Sequence, residues 1–271
     1  MTILITGGTG LVGTRLMRRL VGARFDCRAI VRQRTELPAD VDLVKGDLLT
    51  PSSLPAAVEG VTAVIHLAAL LRTSDTEQIH RVNVDGSQNL IDAVRAHAPS
   101  ARVIMVSTNL VYDANLPRPA RECDPTNPVM PYPASKVAAE RVLRDSGLTW
   151  SILRLPFVYG DGDGHLQSAP QLFGSWNWHP AATVSLIHHR DIETAMQLAL
   201  DGVMDGRVVN LTDDAPASIY EIARIVGADY PESAEPLANP WSGHVDGRLA
   251  RQLGFKPKVR SVYQAAEEGA L

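Results

Sequence analysis

The chain has 271 residues, 45% of them hydrophobic and 21% charged, enough to bury one large core with a smaller companion. A net charge of −4 and a pI near 6.1 give no basic field for nucleic acid, and no apolar run is long enough to span a membrane. Cys27 and Cys123 are too few for a disulfide framework or a multi-cysteine metal site, so no metal is expected. Residues 1–6 lack the basic start and small-residue cleavage site of a signal peptide, which predicts a cytoplasmic protein.

In chain order, residues 2–6 read as a strand and 11–21 as a helix with Leu11, Leu16 and Leu20 inward. Strands follow at 27–32 and 41–44. Residues 61–67 form a continuous apolar run, as expected of a strand covered on both faces. A long helical pattern over 77–97 repeats Ile79, Val82, Leu90, Ile91 and Val94. A strand at 102–107, a helix at 135–144 and a strand at 150–153 complete this half. Short β-branched runs alternating with helical patterns predict an α/β, doubly wound parallel sheet. After Arg154 the texture changes: residues 155–187 are rich in Gly, Pro, His and Trp, with little periodicity. Helical patterns return at 192–200 and 219–226 around a strand at 208–211. Residues 228–247 are loop-like, and the tail from 262 is helical. The expected division is a dinucleotide-binding domain from 1–154 plus about 184–211. A small C-terminal substrate lobe takes about 155–183 and 212–271.

Between the first strand and first helix stand Gly7, Gly8, Gly10 and Gly13. A dinucleotide pyrophosphate needs a sharp turn, close backbone approach and helix-head amides, here those of Leu11 and Val12. Gly8-x-Gly10-x-x-Gly13 fits that fingerprint, and Gly7-x-x-Gly10-x-x-Gly13 gives a second reading with wider spacing. The end of the second strand reads Ala29-Ile30-Val31-Arg32, with Arg34 nearby and no carboxylate before Glu36. Arginine suits a 2′-phosphate, so NADP is favoured and NAD is the alternative.

Tyr132-Pro-Ala-Ser-Lys136 sets a phenol and an ammonium four residues apart on one helix face. The nearby cation is expected to lower the phenol pKa towards a range useful for acid–base work. Upstream, Ser107-Thr108 ends a strand, where a parallel sheet presents side chains to its ligand crevice. Either hydroxyl could hold a carbonyl or alcohol against Tyr132; alternatively they cap a turn.

Residues 6–13, Gly46-Asp47-Leu48, His66-Leu-Ala-Ala69, Asn83-Val84, 107–112, 132–136, 154–160 and 188–195 occur in the order seen in extended short-chain dehydrogenases/reductases, which this chain resembles over residues 2–211. The resemblance implies a Rossmann-type domain, a nicotinamide cofactor and a Thr108–Tyr132–Lys136 catalytic set. Asn83 would match the helix asparagine near the active-site backbone. Asp47 would contact adenine beside Leu48, and Leu67, Ala68 and Ala69 would line the cofactor. Pro156 and Val158 would flank the nicotinamide. Two departures narrow the chemistry. Asn109-Leu110 stand where dehydratases of the family carry Asp-Glu, and Phe157 stands where sugar-nucleotide enzymes often carry Asn.

The leading expectation is an NADP-dependent reductase of a small ketone or aldehyde, resembling dihydroflavonol-reductase-like members, with Phe157, Trp176 and Trp178 as its substrate wall. A sugar-nucleotide epimerase and a cofactor-sensing binding protein are the alternatives. Such enzymes often dimerise through two helices, here 77–97 and 135–144. Asp191 is expected to cap the helix from 192.

Overall fold

The computed structural model describes residues 1–33, 37–71 and 73–271. Its first half runs β1 (Thr2–Thr6), α1 (Leu11–Gly22), β2 (Asp26–Val31), β3 (Val41–Lys45), α2 (Pro55–Val58), β4 (Ala63–His66), α3 (Thr76–His80), α4 (Gly86–His97), β5 (Arg102–Thr108), α5 (Pro131–Arg144) and β6 (Trp150–Leu155). The second half adds β7 (Phe157–Tyr159), α6 (His165–Ser175), β8 (Thr183–Val184), β9 (Leu186–His188), α7 (His189–Leu200), β10 (Arg207–Asn210), β11 (Ala217–Ser218), α8 (Ile219–Val226), α9 (Arg248–Gln252) and α10 (Val262–Glu267).

Seven strands form the central sheet in the order β3-β2-β1-β4-β5-β6-β10, and every pairing is parallel. Strand alternation divides the core. Ile3, Ile5 and Ile65 meet α1 and α7 on one face, while Leu4, Val64 and Met105 meet α4 and α5 on the other. The apolar run of β4 thus reflects a strand with helices on both sides. A separate core of Tyr159, Leu166, Phe173, Leu186, Ile219 and Val262 joins β7, α6, β9, α8 and α10. Strand order reverses between β1 and β4, which opens the crevice where an α/β sheet binds its ligand.

Four local features differ from the sequence reading. The helix expected over 77–97 is interrupted at Arg81–Asp85 by a wider π-type turn, a distortion that often marks functional sites. α5 begins at Pro131, earlier than expected, because proline is pre-set for a first helical position. α6 was hidden by Pro170 in its interior; it starts where the Asp163 carboxylate accepts the His165 amide. Asp191 does not cap α7. The His188 ring accepts the Arg190 amide at 3.1 Å and caps that helix. Asp191 is fully buried and instead receives the Lys258 and Val259 amides, stapling the tail to α7. Among the described residues, no helix is long and apolar enough to cross a membrane, and no cluster of side chains could hold a metal.

Candidate active site

The glycine turn is built for close approach. Gly7 has a φ of +71°, and a Cβ there would stand 2.6 Å from the Ala68 nitrogen. A Cβ on Gly13 would stand 2.2 Å from the Gly7 carbonyl oxygen. Side chains at either position would force apart the turn, the head of α1 and the loop after β4. α1 starts at Gly10 with no side-chain cap and no acidic residue in its first turn. Its head, at Leu11 and Val12, therefore keeps orphan amides and a positive dipole end for an anion. Asp47 shapes the next loop by accepting the Leu49 amide at 2.9 Å, and Leu48 is buried beside it. Exposed Arg32 ends β2 and shares a groove of about 440 Å³ with Val31, Gln33, Leu43 and Lys45. Arg34 lies outside the described residues. The glycine turn and bare helix head can take a diphosphate, and two cations, Arg32 and Lys45, line the groove beside β2.

At the end of β5, alternation sends Ser107 and Thr108 to opposite faces. Thr108 Oγ1 accepts the Leu110 amide at 3.2 Å, a bond that leaves the hydroxyl proton unused. Ser107 donates to Glu140 Oε1 at 2.5 Å. Its hydroxyl is thereby committed to α5, and of the two substrate-holding candidates only Thr108 keeps that option. α5 packs against β5 and the turn after it, carrying Tyr132 half-buried and Lys136 fully buried. Burial pushes the Tyr132 phenol up to about 12, the reverse of the expected lowering. The same dry setting pushes the Lys136 ammonium down to about 8, with the Glu140 charge opposing. Desolvation penalises both charged forms, and for Tyr132 it acts alone.

Under these groups runs a directed chain of hydrogen bonds. The Ala68 amide donates to Thr6 Oγ1 at 3.3 Å, which leaves the Thr6 proton for His66 Nδ1 at 2.7 Å. Ser87 gives its proton to the Asn83 carbonyl at 2.5 Å, so His66 Nε2 must donate to Ser87 at 2.9 Å. This proton count fixes His66 as the neutral Nε2–H tautomer. Burial, with the Lys136 charge second, pushes its pKa down to about 3. Asn83 sits in the π-type turn. Its side chain accepts the Leu70 amide at 2.6 Å and donates to the Leu70 carbonyl at 3.0 Å and to Ser135 Oγ at 2.9 Å. Ser135 donates on to the Tyr132 carbonyl at 2.6 Å. Asn83 therefore clamps the loop after β4 to the first turn of α5.

A second frame lies deeper. Arg154 grips Glu140 with Nε at 3.0 Å and Nη2 at 2.6 Å, and its guanidinium lies 4.8 Å from the Tyr112 ring centre. Tyr112 donates to Asn210 at 2.7 Å. The sequence reading gave no role to His66, Ser87, Ser135, Glu140 or Arg154. Only Glu140 carried a signal: a carboxylate one turn after Lys136, on the helix face that must be buried.

The lobe is held by rings. Phe157 stacks on His165 at 4.2 Å and 16°, with Phe173 5.6 Å away. Trp178 lies 5.1 Å from Phe173, and its carbonyl accepts the Tyr230 hydroxyl at 2.7 Å. Phe157 and Trp178 thus pack into the lobe core, whereas Trp176 stands at its rim, 6.4 Å from Trp178. Pro156 and Val158 are buried where β6 passes into β7.

The model of the NAD dependent epimerase/dehydratase family matches residues 3–175. A ceramide reductase from Caulobacter vibrioides is 35% identical over 165 residues, covering 59% of this chain and 47% of that protein. A UDP-glucose 4-epimerase from Azospirillum brasilense is 33% identical over 155 residues, covering 54% and 44%; the chain thus spans about half the length of these two relatives. A D-erythronate dehydrogenase from Cupriavidus necator is 31% identical, with 94% of each chain covered. Among solved structures, a short-chain dehydrogenase/reductase superfamily protein from Agrobacterium tumefaciens with bound NAD superposes with a TM-score of 0.81 at 23% identity, covering 99% of this chain and 95% of that one. The seven-stranded fold, its glycine cradle and the match over residues 3–175 establish that the chain belongs to the NAD dependent epimerase/dehydratase family.

Proposed function

We propose that the protein is an NADP-dependent ketoreductase in which Tyr132 is the general acid. The cofactor, when bound, supplies the hydride. The observation that carries the reading is geometric: Tyr132 and Lys136 lie one turn apart on α5, which packs against β5 and the turn after Thr108, an arrangement that supports a phenol giving its proton to a carbonyl oxygen as hydride arrives at the carbon. Thr108 donates a second hydrogen bond to that oxygen. Lys136, still largely cationic at neutral pH, offsets the negative charge that builds on the phenol oxygen and reaches the ribose hydroxyls. Asn83 keeps the Tyr132 turn in register with the cofactor loop through Leu70 and Ser135.

Arg32 and Lys45, which share the groove at the end of β2, support a 2′-phosphate and hence NADP over NAD. The Phe157–His165 stack favours reduction over sugar-nucleotide epimerisation, because it fills with rings a position at which a nucleotide sugar needs polar contacts. The test is cofactor oxidation with a panel of ketones, run with NADPH and NADH in parallel. Net NADPH consumption by the wild type and none by Tyr132→Phe supports the reading. Interconversion of a sugar nucleotide without net cofactor loss sinks it.

A further inference from the structure

Large exposed apolar side chains gather around the catalytic groups. Leu71, Leu110, Val129, Met130, Trp176 and Trp241 are between 38% and 91% exposed. Scattered apolar residues are ordinary on a surface, but a contiguous set around a site is a binding feature. Chain neighbours and their hydrogen bonds place these six about the crevice. Leu110 follows Thr108 by two residues, and Val129 and Met130 immediately precede the helix that carries Tyr132. Leu71 adjoins Leu70, whose backbone is pinned by Asn83. Asn109 donates to the Gly243 carbonyl at 3.3 Å, and a Cβ on Gly243 would lie 3.5 Å from the Trp178 ring, with Trp176 beyond it. Trp241 belongs to the same strap, which Asn239 anchors to the Ala114 and Leu116 carbonyls at 2.8 and 3.2 Å.

Among the described residues, two arginines on this side of the molecule are matched by carboxylates. Arg118 grips Asp124 with both terminal nitrogens at 2.7 Å, and Arg248 does the same to Asp246 at 2.7–3.0 Å. The approach to Tyr132 is thus apolar at its collar and neutralised behind it, which disfavours a diphosphate and favours hydrocarbon.

We propose that the ketone carries a long apolar chain, laid from the Thr108–Tyr132 pair across this collar; the inference rests on the ketoreductase reading for the carbonyl end alone. The collar removes the chain from water, while the short polar end meets the acid.

The experiment uses methyl esters of 3-oxo acids of increasing chain length with NADPH. Over the first several added methylenes, kcat/KM should rise about fourfold for each, equivalent to ~0.8 kcal/mol per buried CH₂. The double variant Met130→Ser, Trp241→Ser should flatten that slope, so that the long-to-short ratio falls at least tenfold. A slope as steep in the variant as in the wild type, or no slope in either, overturns the proposal. Tryptophan fluorescence with methyl decanoate and methyl butanoate, which have no ketone to reduce, reads the collar without turnover. Tight, saturable binding of the decanoate alone, lost in the double variant, upholds the apolar chain even if no ketone is reduced, in which case only the ketoreductase reading fails. Equal or undetectable binding of both esters, with no slope, removes the chain from the account.

Discussion

Beneath α5, Glu140 accepts one hydrogen bond from Ser107 and two from Arg154 in a buried setting. In the lobe, Phe157, His165, Phe173 and Trp178 meet ring against ring, with tilts from 16° to 40°. The first arrangement depends on direction and on counting protons, so few alternatives satisfy every atom. The second depends on volume, and cores of that kind accept swaps of similar size. The two regions thus differ in how freely their side chains can be exchanged.

Predictions that break this contrast begin at the acid. Tyr132→Phe removes one proton and keeps the ring, so turnover should fall ~10²–10⁴-fold. The melting temperature and the affinity for NADPH should stay near wild type. Loss of cofactor affinity alongside turnover would make the phenol a structural group instead.

The contrast itself is tested by a pair of variants. Glu140→Ala leaves the Arg154 guanidinium buried without its carboxylate, which should cost about 3–5 kcal/mol in chemical denaturation. Phe157→Leu keeps an apolar body in the lobe and should cost no more than ~1.5 kcal/mol. Comparable losses in the two would mean that frame and lobe do not differ as described.

A smaller effect is expected at the cofactor edge. Arg32→Ala should weaken NADPH by ~1.5–3 kcal/mol, the scale of a charge-assisted contact, and spare NADH. Titration of both cofactors checks this, and equal weakening would detach Arg32 from the 2′-phosphate.

What was legible in the sequence is what lies close together along it. The glycine turn, the Tyr132–Lys136 spacing and the apolar run of β4 are local patterns with one structural solution each. The frame under α5 was not legible, because Thr6 and His66 are 60 residues apart and Ser107 and Glu140 are 33 apart. Only the fold brings them together. His66 belongs to the His66-Leu-Ala-Ala69 segment, yet its tautomer follows from the protons of Thr6 and Ser87, which no spacing reveals. Asp191 misled for a related reason. Its sequence context suits a helix cap, but the tail residues Lys258 and Val259 claim its carboxylate. The Tyr132 pKa was misjudged because a neighbouring cation can be read from spacing, while burial cannot.

The smallest effect tests an exception to the lobe's apolar character. Asp213, just past β10, is buried; its Oδ1 accepts the Ala215 amide at 3.2 Å, and its Oδ2 has no partner among the described residues. Burial, with Asp191 and Asp214 nearby, pushes its pKa up to about 8 from an ordinary 3.8. The fold therefore prefers the protonated acid, and the unfolded chain prefers the carboxylate. The stability from Asp213 is complete below pH 4 and is lost as pH rises towards about 8, because the unfolded state releases the proton first. Within the single unit from pH 7 to 8 the loss is about 1 kcal/mol, or a fall of roughly 2–4 °C in Tm. Asp213→Asn keeps the shape and the Oδ1 acceptor but cannot ionise, so that part of the pH dependence should vanish. Lys136 titrates in both proteins, and its contribution cancels when the variant's Tm-against-pH curve is subtracted from the wild type's. Parallel curves across pH 6 to 9 would mean that Asp213 is ionised in the fold and that a water or ligand satisfies Oδ2.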